Sequence, residues 1–158
     1  MRILVTRPQE DAREISRTLQ AMGHGTVAAP LLHIRFHDGP QISLEGVQAI
    51  LATSANGVRA IARRTPRRDV PLFAVGPQTE AQARAAGFTH IRNAHGDGAA
   101  LARATAQWVK PQTGALLHAA GAEAPKLLVA ALEQSGFTVR REILYDAQAV
   151  ERLPDDAA

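Results

Sequence analysis

The segment VQAILATSANGVRA, residues 47–60, changes character half-way along. Val47 to Thr53 is a nearly unbroken apolar run, the pattern of a strand covered on both faces. Thr53, Ser54, Ala55, Asn56 and Gly57 then crowd small and polar residues into one corner, and a helical pattern follows over about 56–64. A strand that feeds straight into a helix is half of a crossover between parallel strands. The corner is the N-terminus of that helix, where backbone N–H groups lack partners and the dipole is positive.

The same alternation fills the chain. RILVT (2–6) reads as a buried strand, and Pro8 suits the first turn of a helix running to about Met22. TVAAPLLHI (26–34) is extended, and HDGP (37–40) is a turn. PLFAVG (71–76), FTHIRNA (88–94), GALLHAAG (114–121) and FTVRREILY (137–145) are strands, with helices over about 78–86, 96–110 and 124–135. The tail ERLPDDAA reads as frayed. One unit recurs: QAMGHGTVAAP, RAAGFTHIRNA and EQSGFTVRREI each run helix end, glycine, strand. Glycine takes the left-handed conformation that closes a helix and turns the chain back onto a sheet. Strands separated by helices imply right-handed crossovers and a parallel sheet with helices on both faces. The expectation is an α/β fold, with a flavodoxin-like three-layer parallel-sheet domain over about 41–145.

Composition narrows the function. A chain of 158 residues suits one ordinary domain, and 46% apolar residues can fill a core. With no cysteine, disulfides and thiolate metal sites are excluded, and a reducing cytoplasm is allowed. No signal peptide and no bilayer-length apolar run is read, so a cytoplasmic protein without a membrane partner is expected. The net charge of +3 is small. Its densest cluster, Arg63, Arg64, Arg67 and Arg68 around Pro66, follows a helix and lacks interleaved aromatics. It reads as a solvated helix end complementing the dipole rather than as a nucleic-acid patch.

In open parallel sheets, ligands bind beyond the carboxyl ends of the strands. Those ends are Thr6-Arg7-Pro8, Thr53-Ser54-Ala55-Asn56, Gly76-Pro77-Gln78-Thr79 and Ala120-Gly121-Ala122. Three lead into helix N-termini, which attract anions. Ser, Thr and Asn are ordinary helix caps, so one such corner means little. Four on one edge point to a ligand with negative charge. Other motifs fall away. Neither GHG (23–25) nor GDG (96–98) completes G-x-G-x-x-G. The histidines at 24, 33, 37, 90, 95 and 118 show no ligand spacing, so no metal is expected. Ser54 sits outside any G-x-S-x-G turn, and Trp108 reads as helix packing.

ILVTRPQ (3–9), ATSANGVRA (52–60), FAVGPQTEAQARAAGF (73–88), GDGAAL (96–101), LLHAAG (116–121) and ILYDAQ (143–148) follow one another in an order that resembles the uroporphyrinogen-III synthases. The pairing of T-S-A-N-x-V with V-G-x-x-T is the most specific part, and the resemblance runs from residue 2 to about 150. It implies two flavodoxin-like domains joined by a two-stranded linker, with the active site in the cleft. Residues 1–33 would open domain one as β-α-β, 34–40 and 146–152 would be the linker strands, and 41–145 would be domain two. The family's second half of domain one has no counterpart here. Domain one is therefore expected to be incomplete: either the sequence is a shortened piece, or self-association completes it.

The resemblance also implies an activity. Family members are cyclising lyases of porphyrin and haem biosynthesis that act on hydroxymethylbilane, a linear tetrapyrrole rich in carboxylates. They expel its hydroxyl, close the ring and invert the last pyrrole through a spiro intermediate, with no cofactor or metal. Carried onto this sequence, backbone N–H groups at 54–56, 76–79 and 121–122 would hold carboxylates, the corners being Thr53, Ser54, Ala55 and Asn56, then Gly76, Pro77, Gln78 and Thr79, then Gly121 and Ala122. Side chains of Thr6, Arg7, Ser54 and Thr79 would assist. Tyr145, which matches the family's tyrosine at the end of domain two, would be the acid, since a phenol keeps its proton near neutral pH. The plainer reading of Tyr145 is a strand-end aromatic capping the core. The rival function is a non-catalytic flavodoxin-like module that binds an anionic small molecule or a protein partner.

Overall fold

Strands and helices alternate through the computed structural model, which describes residues 1–157. In chain order they are β1 (Arg2–Val5), α1 (Gln9–Ala21), β2 (Gly25–Ala28), β3 (Leu32–Phe36), β4 (Val47–Ala52), α2 (Ala55–Arg64), β5 (Leu72–Ala74), α3 (Pro77–Ala85), β6 (Ile91–Asn93), α4 (Gly98–Trp108), β7 (Ala115–Gly121), α5 (Leu127–Gln134) and β8 (Val139–Ala149). They form two units, one of residues 1–35 with the segment from Asp146 onward, the other Phe36–Tyr145.

In the first unit β1 and β2 pair in parallel, Arg2 opposite Gly25 through Val5 opposite Ala28. TVAAPLLHI is not one strand. Ala29 and Leu31 donate to the carbonyls of Val5 and Thr6, so the chain follows β1 past its end, and Pro30 between them has no N–H to extend a ladder. A new strand starts at Leu32.

The second unit is built around β4. Its parallel strands lie in the order β8-β7-β4-β5-β6, with β3 beside β8 at the edge of the whole six-stranded sheet. A flavodoxin order, 2-1-3-4-5, would put the unit's third strand beside its first. Here β6 lies beyond β5, and β7 takes the place next to β4. The mixed α/β architecture and its parallel sheet are as expected, and the flavodoxin strand order is not. The layers follow from strand alternation. Ile50 and Ala52 face Val58 and Ile61 of α2 and Ala83 of α3. Ala49 and Leu51 face Leu101 of α4 and Leu128 and Leu132 of α5, on the side where Trp108 packs edge-on against Phe73 with ring centres 5.0 Å apart.

The recurring helix-glycine-strand unit is a single hydrogen-bonding device. Gly23, Gly87 and Gly136 have φ of 85, 96 and 90°. The next residue each time bonds five back: His24 to Leu19, Phe88 to Ala83, Phe137 to Leu132. That closes the helix and redirects the chain. It also shortens β6, because Phe88 belongs to the closing turn. The GDG motif is a cap: Asp97 Oδ1 accepts from Ala100 N–H at 2.9 Å, which holds its carboxyl below the usual range. The arginines at and after the end of α2 are more than a solvated end. Arg64 donates to the carbonyls of His37 and Pro40, and Arg68 to those of Ala62, Thr65 and Ala86. Among the described residues no helix is long and apolar enough to cross a membrane.

Candidate functional site

Because β4, β5, β7 and β8 run in parallel, their carboxyl ends share one edge of the second unit. That edge gathers Thr53 to Asn56, Gly76 to Thr79, Gly121 with Ala122, and Tyr145. Thr6 and Arg7, both exposed, follow β1 in the other unit.

The corner after β4 is the most elaborated. Ser54, with an extended backbone (φ −154°, ψ 157°), caps α2, its Oγ accepting from Gly57 N–H at 3.0 Å. The same Oγ meets the Tyr145 hydroxyl at 2.7 Å. Two glycines make the approach possible. A methyl on Gly57 would stand 2.6 Å from the Ala119 carbonyl oxygen, and one on Gly121 would stand 2.7 Å from the Tyr145 ring. Real side chains do not come so close, so α2 docks on β7 and the phenol lies over the end of β7 only because both positions are bare. The Tyr145 ring also packs against Phe36, centres 6.4 Å apart. Asn56 turns its Oδ1 to Arg59, which donates at 2.7 Å and also reaches Gln82 of α3 at 3.2 Å.

The corners differ in what backbone they offer. Ala55 and Asn56 lie in the first turn of α2, where no carbonyl a turn earlier can take their N–H groups. Gly76 caps α3 without a side-chain bond, and Pro77 stands at the head of that helix. Thr79 is buried, 4% exposed. At the third corner the expectation fails: Ala122 N–H donates to the Tyr145 carbonyl at 2.9 Å and is occupied. The cause is a register shift between Ala120 and Gly121 that sets Gly121 opposite Tyr145.

Beneath this edge lies a polar group that sequence reasoning passed over. His118 of β7 is fully buried, with Nε2 3.3 Å from Thr53 Oγ1. Burial pushes its imidazole down to about 4, and the charge of Arg141 acts the same way. Arg141, opposite it on β8, donates to the carbonyl of Ala124 at 2.8 Å. A lone histidine inside the apolar run LLHAAG was a readable signal, since a buried polar side chain needs a partner. An open groove of about 420 Å³ lined by Gly39, Gln41 and residues 62–66 lies at the far end of α2, opposite these corners.

The sequence model of the family described as uroporphyrinogen-III synthase HemD matches residues 13–158. The chain belongs to the uroporphyrinogen-III synthase family. Solved uroporphyrinogen-III synthases share its fold. A mutant enzyme from the extremely thermophilic bacterium Thermus thermophilus aligns with a TM-score of 0.59 at 16% identity, covering 95% of this chain and 64% of that one. The Helicobacter pylori 26695 enzyme aligns with a TM-score of 0.59 at 14% identity, covering 82% and 58%. The wild-type Thermus enzyme gives 0.53 at 16%, covering 95% and 63%. The chain thus spans less than two thirds of the length of each of these synthases. No curated protein matches it.

Proposed function

We propose that this chain acts as a uroporphyrinogen-III synthase, a cyclising lyase that converts hydroxymethylbilane to the ring-inverted product with loss of water, in tetrapyrrole and haem biosynthesis. The observation that carries the reading is the 2.7 Å contact between Ser54 and Tyr145 at the carboxyl edge of the sheet. Ser54 Oγ accepts from Gly57 N–H, and in this reading its own hydroxyl hydrogen donates to the phenol oxygen. The Tyr145 proton then points away from the fold, toward the leaving hydroxyl of the substrate. Each donor polarises the next, and the chain starts at the positive end of α2. Tyr145 gives its proton to the departing hydroxyl as the C–O bond breaks, water leaves, and the phenolate is reprotonated when ring closure releases a proton from the last pyrrole. Substrate carboxylates would sit on the first-turn N–H groups of α2 and α3. Holding the flexible chain in one pose supplies the orientation that decides inversion.

In this reading 41–145 is domain two, 34–40 and 146–152 are the linker strands, and 1–33 is part of domain one, to which Thr6 and Arg7 bring further polar contacts. Self-association would complete domain one. The chain would work in the cytoplasm without cofactor or metal, on a small molecule rather than a nucleic acid or membrane. The test is to supply hydroxymethylbilane and separate the isomers formed. Type III product above the spontaneous type I background is expected, and Tyr145→Phe should lower it by roughly a hundredfold or more, the scale of lost general-acid catalysis. Type I product alone would leave the chain as a non-catalytic binding module.

A further inference from the structure

Two nitrogen atoms beneath the carboxyl edge are buried and, among the described residues, without a hydrogen-bond partner: His118 Nδ1 and Arg141 Nε. Their residues are directly opposite in the β7–β8 register. Both side chains stand on the sheet face covered by α4 and α5, the face on which Leu116 and Val139, two residues earlier, also pack. Arg141 Nη2 is committed to the carbonyls of Ala124 and, at 3.5 Å, Gly121, so it braces the loop that follows β7. His118 Nε2 is committed to Thr53. The other ionisable groups of the covering elements, Arg103 of α4, Glu133 of α5 and Glu123 and Lys126 of the loop, are exposed.

Hydrogen-bond chemistry selects one histidine tautomer. An arginine Nε is always an N–H donor and never an acceptor. His118 Nδ1 complements it only as a lone pair, which puts the ring proton on Nε2, facing Thr53. The opposite tautomer would leave two buried N–H donors, Nδ1 and Arg141 Nε, both without an acceptor, the costly arrangement. We propose that His118 and Arg141 are positioning residues for Thr53. Arg141 Nε–H, through one bridging water, fixes Nδ1 as an acceptor. His118 Nε2–H donates to Thr53 Oγ1, and the Thr53 hydroxyl hydrogen is thereby left to donate to a carboxylate at the sheet edge. This inference rests on the reading that an anionic substrate binds there, and it adds a directed side-chain donor to the backbone N–H groups.

The tautomer is read directly by long-range proton–nitrogen NMR on the full chain labelled with nitrogen-15 histidine. At neutral pH a neutral ring with its proton on Nε2 is expected for His118. Arg141→Met, which removes the donor, should shift the ring toward the Nδ1–H form. If that variant does not fold, Arg141→Lys, which keeps the charge but has no Nε–H, replaces it. An Nδ1–H ring in the unmodified chain, or an unchanged tautomer in the Arg141 variant, overturns the proposal. The Thr53 end is read by hydroxymethylbilane kinetics. Thr53→Val and His118→Leu should each raise KM by roughly tenfold, the scale of one lost hydrogen bond to a charged group, with kcat little changed. His118→Gln, which restores an N–H donor, should recover most of that loss, and equal KM values for His118→Gln and His118→Leu would overturn the proposal. A chain with no turnover at all counts against the synthase reading instead, and the tautomer measurement then decides this one alone.

Discussion

The two units use the same grammar to different effect. Both pair parallel strands through a helix, and both close that helix with a left-handed glycine, Gly23 in one and Gly87 and Gly136 in the other. In Phe36–Tyr145, five parallel strands carry helices on both faces, and Ile50, Leu51, Leu116 and Leu117 are fully buried. In the other unit the two-stranded sheet of β1 and β2 carries one helix, and Met1, Leu4, Met22, Leu31, Leu32 and Leu153 stay exposed. In the larger unit, among the described residues, only Leu127 and Ile143 do so. A β-α-β unit can satisfy its backbone locally, but it takes further strands and a second helical layer to remove its apolar side chains from water.

The largest expected effect tests that contrast directly. Leu117→Ala, at the centre of the larger unit, should cost about 2–5 kcal/mol of stability by thermal or denaturant unfolding. Val5→Ala, the best-buried strand residue of the smaller unit, removes two carbons and should cost roughly 1–2 kcal/mol. Equal costs would dissolve the distinction. Hydrogen exchange sharpens it: amides of β4 and β7 should exchange only on global unfolding, and those of β1 and β2 by local opening.

Acid comes next. His118 has its folded pKa lowered from 6.5 to about 4, so the unfolded chain binds the proton more readily. Its contribution is fully present above pH 6.5 and is lost as pH falls to 4, by about 3 kcal/mol at 1.36 kcal/mol per pKa unit. His118→Leu should flatten that part of the profile, as followed by denaturant midpoints. A smaller effect is expected from Gly57→Ala. Its methyl meets a backbone carbonyl that cannot rotate away, and the strain should cost about 1–3 kcal/mol. The smallest is Tyr145→Phe, about 1 kcal/mol in stability from one lost hydrogen bond. A loss of product much larger than that stability change can explain would place the hydroxyl in the chemistry.

Much of this was legible because the larger unit obeys one rule throughout. Apolar runs ending in small polar residues, followed by a helical period and a glycine, place the carboxyl edge before any coordinates are known. Strand order was not legible: any sequence of right-handed crossovers fits the same alternation, and only register shows β7 beside β4. Pro30 split an extended segment whose apolar residues alone gave no boundary. Ala122 looked available because its partner, the Tyr145 carbonyl, is distant in sequence and carries no side-chain signature. His118 was legible as a lone polar residue in an apolar run, but its pairing with Arg141 was not, since only the register sets the two opposite one another.

Tyr145 and Trp108 are the chain's single tyrosine and single tryptophan. One hydroxyl-bonded phenol sits at the candidate site, and one indole lies against Phe73 under the other helical layer. The molecule therefore carries two native optical reporters, one for each side of its sheet. Near-ultraviolet absorbance and fluorescence can follow ligand arrival and core loosening as separate signals, without attaching a dye.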